Sequence, residues 1–409
     1  MNEATRQFIR DHAEDDPPEL LLNASRYQGV DIKAAVIQIH ARKHIKTKLP
    51  EWYKDDRLIF PSTIAVEQSS SEITAKYKQR LALHADWLCD LTGGLGVDTY
   101  YLAQKVKQVV YVEKNKACCD AARENFSTLG VTNISVINGD AMDLLKNKDE
   151  RIAGINVFYI DPSRRGSSNR RLYAVSDCEP DIMQIMALLP NHYRLIIKLS
   201  PMLDISRALT LIPSVREIHI LSVKNECKEL LLVAETPLAR IPCDVASNLR
   251  QADPDIFCVN YSTDGAYQVF CFRFSDERVA VMPVAECVGC FLYEPNASVL
   301  KAGAYKLVAS LYRVEKLHKS SHLYTSNQPV ETFPGRIFEI LEVLPFNNRI
   351  CKTIHTTIPQ ANISVRNFPL SVDALRKRTR IHEGGELYLY ATTLQDNQKV
   401  LIKCRKFHG

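Results

Sequence analysis

The segment with the clearest chemical character is the glycine-rich run DLTGGLGVDT at residues 90–99. It follows a short apolar stretch that predicts a strand and precedes a stretch that predicts a helix. Gly94 and Gly96 allow a tight backbone turn and a close approach to a ligand, because neither carries a side chain. Asp90 opens the loop with a carboxylate, which suits a ligand with a positively charged end. The run therefore predicts a small-molecule site where the first strand of a sheet ends.

Three further acidic residues follow predicted strands in order along the chain. Glu113 ends the next strand, 23 residues after Asp90, where a carboxylate can accept hydrogen bonds from both hydroxyls of a ribose. Asp140 follows the third strand and can accept a hydrogen bond from an adenine amine. Asp161 follows the fourth strand. Because ligands bind at the carboxyl ends of strands in open α/β sheets, we expect all four acids to surround one site.

The glycine loop departs from a dinucleotide-binding fingerprint. The pattern G-x-G-x-x-G would place its third glycine where this chain has Thr99, and the Asp90 carboxylate is unfavourable beside a pyrophosphate. A P-loop is excluded, because no GK[ST] follows. S-adenosylmethionine carries an ammonium and a sulfonium, which an acid accommodates. We therefore favour a methyl donor over NAD, and methyl transfer is a displacement that needs positioning and no metal.

The order of these motifs resembles a known enzyme class. DLTGGLG, VEKN, GDA and DPSRR resemble motifs one to four of class I S-adenosylmethionine-dependent methyltransferases. Further along the chain, EQSSSEITAKYK, VKNECKELLLV, LYEPNASVLKAG and the stretch from SHLYTS to the basic C-terminus resemble the bacterial RNA methyltransferase family whose members end in a THUMP-like domain. The resemblance covers nearly the whole chain. It implies an RNA-holding C-terminal domain and these cofactor contacts: Asp90, Gly94 and Gly96 to the methionine part, Glu113 to the ribose, and Asp140 and Ala141 to the adenine.

The DPSRR segment is where a methyl acceptor would be held. The side chain of Asp161 and the carbonyl of Pro162 can accept both hydrogens of an amine and so point its lone pair at the methyl group. The segment resembles the D/N-P-P-Y/F motif of amine methyltransferases, but Ser163 replaces the second proline and Arg164 the aromatic residue, which leaves the acceptor open. Arg164 can stack on a base or, with Arg165, bind phosphate. A uracil-carbon mechanism is disfavoured, because the corresponding position has no cysteine nucleophile.

Three groups of site residues are predicted. They are catalytic Asp161, Pro162 and Arg164; cofactor-binding Asp90, Thr92, Gly94, Gly96, Asp98, Thr99, Glu113, Asp140 and Ala141; and RNA-binding Arg165, Arg376, Lys377, Arg378 and Arg380. Lys198 lies in an apolar strand-like run, which is equally typical of a cleft residue and of a structural lysine. No histidine is assigned a role. The Cys287–Cys290 pair lacks the second pair or histidines of a zinc ribbon, so we expect no metal.

The elements around these residues alternate between strand and helix from about residue 85 to 236, as in a doubly wound α/β domain. Ser69 and Glu72 form an S-x-x-E capping box that predicts a helix start, and Asp98 or Thr99 is expected to cap the helix after the glycine loop. We predict an α/β fold with a Rossmann-like class I methyltransferase sheet. Its four parts are a helical N-terminal region (1–84), the methyltransferase domain (85–236), a small α+β, ferredoxin-like module (237–320) and a basic THUMP-like RNA-binding domain (321–409).

The composition is that of an ordinary globular protein: 409 residues, 46% hydrophobic and 24% charged. No apolar run approaches the roughly 18 residues of a membrane span, and the N-terminal stretch is charged, so we expect a cytoplasmic protein. The net charge of +5 is unevenly distributed. Residues 351–409 hold ten Lys and Arg against four acids, which fits contact with phosphates.

The most favoured function is methylation of a base in structured RNA, either rRNA or tRNA. Three alternatives stay open at this point: a non-catalytic RNA-binding protein that retains the fold, an NAD-type oxidoreductase, and a methyltransferase acting on proteins or small molecules. The sequence does not predict the oligomeric state.

Overall fold

The computed structural model describes residues 1–82, 87–164, 178–236 and 253–407. The chain divides into two compact units, one of Met1–Glu217 with Glu229–Ala252 and one of Ile218–Lys228 with Asp253–Gly409. The α-helices of the described residues are α1 (Glu3–Asp11), α2 (Pro17–Leu22), α3 (Ile32–Lys48), α4 (Pro50–Tyr53), α5 (Thr63–Gln68), α6 (Glu72–Lys78), α7 (Val97–Ala103), α8 (Lys116–Thr128), α9 (Ala141–Lys146), α10 (Ile182–Leu188), α11 (Ile205–Leu211), α12 (Phe274–Val279), α13 (Ala297–Ala302), α14 (Tyr305–Tyr312), α15 (Asn348–Thr357) and α16 (Val372–Thr379).

The strands of the described residues are β1 (Trp87–Asp90), β2 (Gln108–Glu113), β3 (Ile134–Asn138), β4 (Val157–Ile160), β5 (Ser163–Arg164), β6 (Cys178–Glu179), β7 (Arg194–Leu199), β8 (Val215–Val223), β9 (Glu226–Glu235), β10 (Asp255–Tyr261), β11 (Tyr267–Arg273), β12 (Phe291–Pro295), β13 (Glu315–Lys316), β14 (Tyr324–Ser326), β15 (Gly335–Pro345), β16 (Asn362–Val365), β17 (Leu387–Thr393) and β18 (Lys399–Lys406). None of the helices in the described ranges is both long and apolar enough to cross a lipid bilayer.

The first unit is built on a parallel sheet. Strand β1 pairs in parallel with β2 on one side and β4 on the other, β2 continues to β3, and β4 to β7. Strand β9 then pairs with β7 in the antiparallel direction. Because the five parallel strands run the same way, their carboxyl ends lie along one edge of the sheet. The predicted α/β class with a Rossmann-like sheet is confirmed.

The N-terminal helices pack into the same core as the glycine loop. Trp52 of α4 is fully buried in a cluster that also contains Leu95 of the loop and Tyr101 of α7. The amide of Gln38 in α3 adds two hydrogen bonds to the backbone of Phe60, from Nε2 to the carbonyl at 2.7 Å and from the Phe60 amide to Oε1 at 3.0 Å. The helices that precede β1 therefore support the loop that follows it.

Two helix starts differ from the sequence prediction. Helix α6 begins at Glu72 with Ser71 as its N-cap, whereas Ser69 ends α5, so the capping box of Ser69 and Glu72 is wrong. Helix α7 begins after Gly96, which has a φ of +85°, so neither Asp98 nor Thr99 caps it. The N-cap of α6 lies two residues after Ser69, and the N-cap of α7 lies two residues before Asp98. The chain turns at these caps, between α5 and α6 and between β1 and α7.

The second unit contains a seven-stranded sheet within the described residues, in the order β13-β14-β12-β15-β18-β17-β16. Its neighbours pair antiparallel except β16 and β17, which are parallel. Helices α15 and α16 cover part of the sheet through one apolar cluster that contains Ile354, Leu375 and Leu401. The predicted α+β character of the C-terminal half is confirmed, and Arg376, Lys377 and Arg378 lie in α16.

The two tryptophans test whether the N-terminal helices are part of the core. We expect Trp52→Ala to lower the free energy of unfolding by about 3–5 kcal/mol, because the side chain is fully buried. Trp87→Ala is the matched control. Its side chain is 49% exposed, and we expect a change of only about 0.5 kcal/mol. Urea denaturation followed by far-ultraviolet circular dichroism measures both, and equal losses would contradict the shared core.

Candidate functional site

A cavity of about 680 Å³ lies at the carboxyl edge of the parallel sheet. Its lining includes Asp90, Glu113, Asp140 and Asp161, which end or follow β1, β2, β3 and β4. The volume falls within the range of roughly 300–1,000 Å³ that is typical of sites for small ligands. The structure thus brings the four predicted acids together around one space.

The three glycines of the loop serve different purposes. Gly94 has a φ of +54° and lines the cavity, and its amide donates a hydrogen bond to Oε2 of Glu113 at 3.0 Å. A Cβ on Gly96 would lie 2.7 Å from the ring of Phe126, and one on Gly93 would lie 2.1 Å from the ring of Tyr111. Gly93 and Gly96 are therefore required by packing, while Gly94 leaves the mouth of the cavity open.

Asp90 is the most deeply buried of the four acids. Its Oδ1 accepts a hydrogen bond from the amide of Thr92 at 3.0 Å, and its Oδ2 accepts one from the hydroxyl of Thr99 at 2.5 Å. Burial raises the pKa of Asp90 to about 7, and the nearby charges of Asp98 and Asp161 add to this shift. A positively charged ligand group at this point would favour the ionised form.

Glu113 and Asp140 are oriented by backbone amides. Oε1 of Glu113 accepts from the amide of Asn115 at 2.7 Å, while its other oxygen accepts from Gly94. Oδ1 of Asp140 accepts from the amide of Met142 at 2.7 Å, so Asp140 is the N-cap of α9, next to the buried Ala141. Both carboxylates are thus held in place at the cavity wall by the backbone of the protein.

Asp98 belongs to a buried charge network. Its Oδ1 lies 2.8 Å from Nζ of Lys78, and its Oδ2 accepts hydrogen bonds from the hydroxyls of Ser70 and Tyr159, each at 2.7 Å. Nζ of Lys78 also lies 2.7 Å from Oε2 of Glu229. Burial by itself would raise the pKa of Asp98, but the charges of Lys78 and Lys198, together with the hydrogen bonds from Lys78 and Tyr159, outweigh it and lower the pKa to about 2. Asp98 lines the cavity, yet both of its oxygens are engaged by the protein.

A second lysine holds Asp161. Nζ of Lys198, which lies in β7, is 2.5 Å from Oδ2 of Asp161, and the Asp161 amide donates to the hydroxyl oxygen of Thr92 at 2.6 Å. Burial would lower the pKa of Lys198, but the carboxylates of Asp161, Glu229 and Asp98 outweigh it and raise the pKa. Lys198 therefore stays cationic and orients Asp161 at the strand end. Pro162 follows directly, Arg164 is described only as part of β5, and Arg165 lies outside the described residues.

One wall of the cavity was not predicted from the sequence. It is formed by α5 and the segment after it, with Ser62, Ile64, Ala65, Gln68, Ser69 and Ser70. The polar run EQSSSE was the available signal, and it was interpreted as a helix cap. Lys78 was missed as well, since it appears in the sequence as an ordinary helix-surface residue.

The predicted RNA-binding residues lie in and after α16. Lys377, Arg378 and Arg380 are exposed, and Arg376 is half-buried with Nη1 3.7 Å from Oε2 of Glu383. The guanidinium of Arg378 lies 5.1 Å from the centre of the Phe346 ring. The helix thus presents several cations to solvent within two turns.

A parallel sheet with a glycine loop after β1 and ordered carboxylates at the following strand ends defines the class I methyltransferase fold. A family profile described as a ferredoxin-like domain matches residues 291–334, and one described as THUMP domain-like matches residues 335–406. A solved structure from Porphyromonas gingivalis W83, assigned as a methyltransferase, is 33% identical with a TM-score of 0.84 and covers 99% of this chain and 98% of its own. The chain belongs to this methyltransferase family and carries a THUMP-like domain at residues 335–406.

Two more distant structures share smaller parts of the chain. An rRNA methylase from Streptococcus thermophilus is 18% identical, with a TM-score of 0.29, over 40% of this chain and 96% of its own. A protein from Streptococcus mutans assigned as a methyltransferase, in complex with SAH, is 16% identical, with a TM-score of 0.29, over 41% of this chain and 97% of its own. A search of curated proteins gave no match.

The raised pKa of Asp90 predicts a specific dependence of stability on pH. The native state holds this proton up to about pH 7, whereas an ordinary aspartate loses it near 3.8, so the free energy of unfolding falls as the pH rises between these values. The full difference is about 4 kcal/mol at roughly 1.4 kcal/mol per pKa unit. We expect Asp90→Asn to remove this dependence, as measured by urea denaturation at pH 4.5 to 7.5.

Asp120→Asn is the matched control, because Asp120 is exposed and hydrogen bonding from Lys116 lowers its pKa. Its stability curve should follow that of the unmodified protein over the same pH range. Parallel curves for Asp90→Asn and the unmodified protein would contradict the buried, protonated state of Asp90.

Proposed function

We propose that this protein is an S-adenosylmethionine-dependent methyltransferase that methylates a base in structured RNA, either rRNA or tRNA. The observation that carries the proposal is the convergence of Asp90, Glu113, Asp140 and Asp161 on one cavity at the carboxyl ends of four strands. The family supports methyl transfer, and the THUMP-like domain at residues 335–406 supports RNA as the substrate.

The donor set around the cavity fits the cofactor. Asp90 offers a buried carboxylate whose ionisation a cationic methionine end would promote, and the open space at Gly94 admits that end. Glu113 is placed to accept hydrogen bonds from the ribose hydroxyls, and Asp140 from the adenine amine. When bound, the cofactor supplies an electrophilic methyl group on its sulfonium. These roles of Asp90, Glu113, Asp140 and Gly94 are proposals.

The acceptor base would be held next to the cofactor by Asp161 and Pro162. Lys198 engages Oδ2 of Asp161, so Oδ1 and the Pro162 carbonyl are the two acceptors for the hydrogens of an exocyclic amine. The Asp161 side chain is 33% exposed, which makes it accessible from the cavity. Holding both hydrogens would direct the amine lone pair at the methyl group, and this positioning is the main catalytic contribution of the chain.

The second unit would bind the body of the RNA. Lys377, Arg378 and Arg380 are exposed cations, and contacts of this kind position an RNA through its phosphates without reading its sequence. The shape of a folded RNA then selects the base that reaches the cavity. We also propose a cytoplasmic location, which suits an enzyme acting on rRNA or tRNA.

Substitution of Asp161 tests whether this residue acts in methyl transfer and not in cofactor binding. We expect Asp161→Ala to reduce methyl incorporation into total RNA by at least about 100-fold, because the acceptor loses its positioning group. The affinity for S-adenosylhomocysteine, measured by calorimetry, should stay within about threefold, since the ribose and adenine contacts remain. Asp161→Asn should retain part of the activity, because its amide oxygen still accepts a hydrogen bond.

Glu113→Gln is the converse variant and should weaken S-adenosylhomocysteine binding by about tenfold or more, because a charged acceptor is lost. Glu124→Gln, on the exposed side of α8, should leave binding unchanged. Full turnover by Asp161→Ala would remove Asp161 from the chemistry. RNA binding without any methyl incorporation by the unmodified protein would favour a non-catalytic RNA-binding protein.

The basic helix tests the RNA substrate. We expect replacement of Arg376, Lys377, Arg378 and Arg380 by Gln to weaken binding to structured RNA and to flatten its salt dependence, by roughly 0.7–0.9 in log–log slope per lost phosphate contact. Fluorescence anisotropy at several salt concentrations measures this. An unchanged slope would show that α16 does not contact RNA, and salt-independent binding would favour a protein or small-molecule substrate.

A further inference from the structure

Two histidines of helix α3 share one face outside the cavity. His40 and His44 are four residues apart, which places their side chains next to each other on a helix. Their ring centres lie 4.6 Å apart with 43° between the ring planes. The sequence signal of this pair is the His-x3-His spacing in the run HARKH.

A carboxylate from a second helix joins the two imidazoles. Glu67 lies in α5, and the ligand atoms that His40, His44 and Glu67 offer all lie within 4.8 Å of one another. His44 and Glu67 are exposed and His40 is half-buried, so the cluster is open to water on one side. Small rotations of three side chains would bring these atoms to the spacing that a single bound ion requires.

One atom of this cluster lacks a partner. Nδ1 of His40 is buried and makes no hydrogen bond with the described groups of the protein. Buried polar atoms are normally paired, so an unpaired imidazole nitrogen beside a second imidazole and a carboxylate points to a ligand of the cluster.

We propose that His40, His44 and Glu67 bind a divalent transition-metal ion of the Zn²⁺ type. Two imidazole nitrogens and one carboxylate oxygen, completed by a water molecule, form a four-coordinate set that Zn²⁺ favours. Mg²⁺ and Ca²⁺ favour sites made only of oxygen atoms, whereas two of the three ligands in this cluster are imidazole nitrogens. This metal site is separate from the proposed methyl-transfer chemistry. The proposal revises the expectation from the sequence that the protein binds no metal.

The surroundings limit the affinity and define the selectivity. Nζ of Lys48 donates hydrogen bonds to the carbonyls of Val66 and Glu67 at 2.8 and 2.7 Å, which places a cation near the bound ion. Lys43 and Lys46 lie on the same helix before Lys48. This positive charge opposes any cation, so binding depends on the imidazole donors and excludes ions that bind them weakly.

A metal at this point would join two helices that flank the cavity wall. Helix α5 contributes Ile64, Ala65 and Gln68 to the cavity lining, while Glu67 belongs to the metal cluster. A bond network from α3 through the ion to Glu67 would restrain α5. The ion would therefore stabilise the cavity wall that α5 forms.

Calorimetric titration of the metal-free full chain with ZnCl₂ tests the proposal. The titration uses a Cys287→Ser, Cys290→Ser background, because both thiols are exposed and compete for zinc. We expect one equivalent to bind, and His44→Ala and Glu67→Gln each to weaken binding by at least about tenfold. His192→Ala, at an exposed histidine outside the cluster, is the matched control and should bind like the background chain.

Two further measurements identify the ligands. Co²⁺ in place of Zn²⁺ should give the intense visible absorption of a four-coordinate site, and His44→Ala should lose it. Zn²⁺ should also slow amide hydrogen exchange in α5 while exchange in α8 stays unchanged.

The proposal is overturned if no saturable one-to-one binding is found, if Mg²⁺ binds as tightly as Zn²⁺, or if His44→Ala and Glu67→Gln bind zinc like the His192→Ala control. Circular dichroism of each metal-free variant confirms folding, which is expected because His44 and Glu67 are exposed. These outcomes are independent of methyl transfer, so failure of one proposal does not imply failure of the other.

Discussion

Compensation of buried negative charge is the constraint on which this site depends. The parallel sheet brings several carboxylates to one edge, where burial and mutual repulsion both oppose ionisation. Lys78 and Lys198 supply the opposing charges, the first between Asp98 and Glu229 and the second beside Asp161. Removing either lysine would leave a buried carboxylate without its nearest opposing charge, which is among the most destabilising changes in a protein interior. The two lysines therefore hold the strand ends in the geometry that the cavity needs.

The charge network also distinguishes the acids by whether a lysine is paired with them. Asp98 and Asp161 have a lysine each, whereas Asp90 is held by the hydroxyl of Thr99 and the amide of Thr92, and its pKa rises to about 7. A cationic ligand group beside Asp90 would favour the ionised form of this carboxyl group. The glycine loop beside Asp90 leaves space for such a ligand. Gly93 and Gly96 let β2 and α8 pack closely against the loop, and Gly94 leaves the cavity open.

The helices before β1 are as much a part of the site as the sheet. Trp52 places them in the core of the glycine loop, α6 delivers Lys78 to Asp98, and α5 forms a wall of the cavity. The His40, His44 and Glu67 cluster would brace that wall from its other side. In this arrangement the cavity of the first unit is completed by residues that precede β1 in the sequence.

Local patterns were sufficient for the sheet and for the order of its acids. Apolar runs ending in Asp90, Glu113 and Asp161 specify parallel strands and the edge where a ligand binds, because that edge follows from strand direction alone. The predicted N-caps of α6 and α7 were wrong, because the position of a cap depends on how the chain turns between two packed elements. Lys78, Lys198 and the wall of α5 were missed or left ambiguous, since a lysine in a helix or strand has the same sequence pattern whether it faces water or a buried carboxylate. Folding alone brings Lys78 next to Asp98 and Glu229 and Lys198 next to Asp161, and those long-range contacts set the charges of the site.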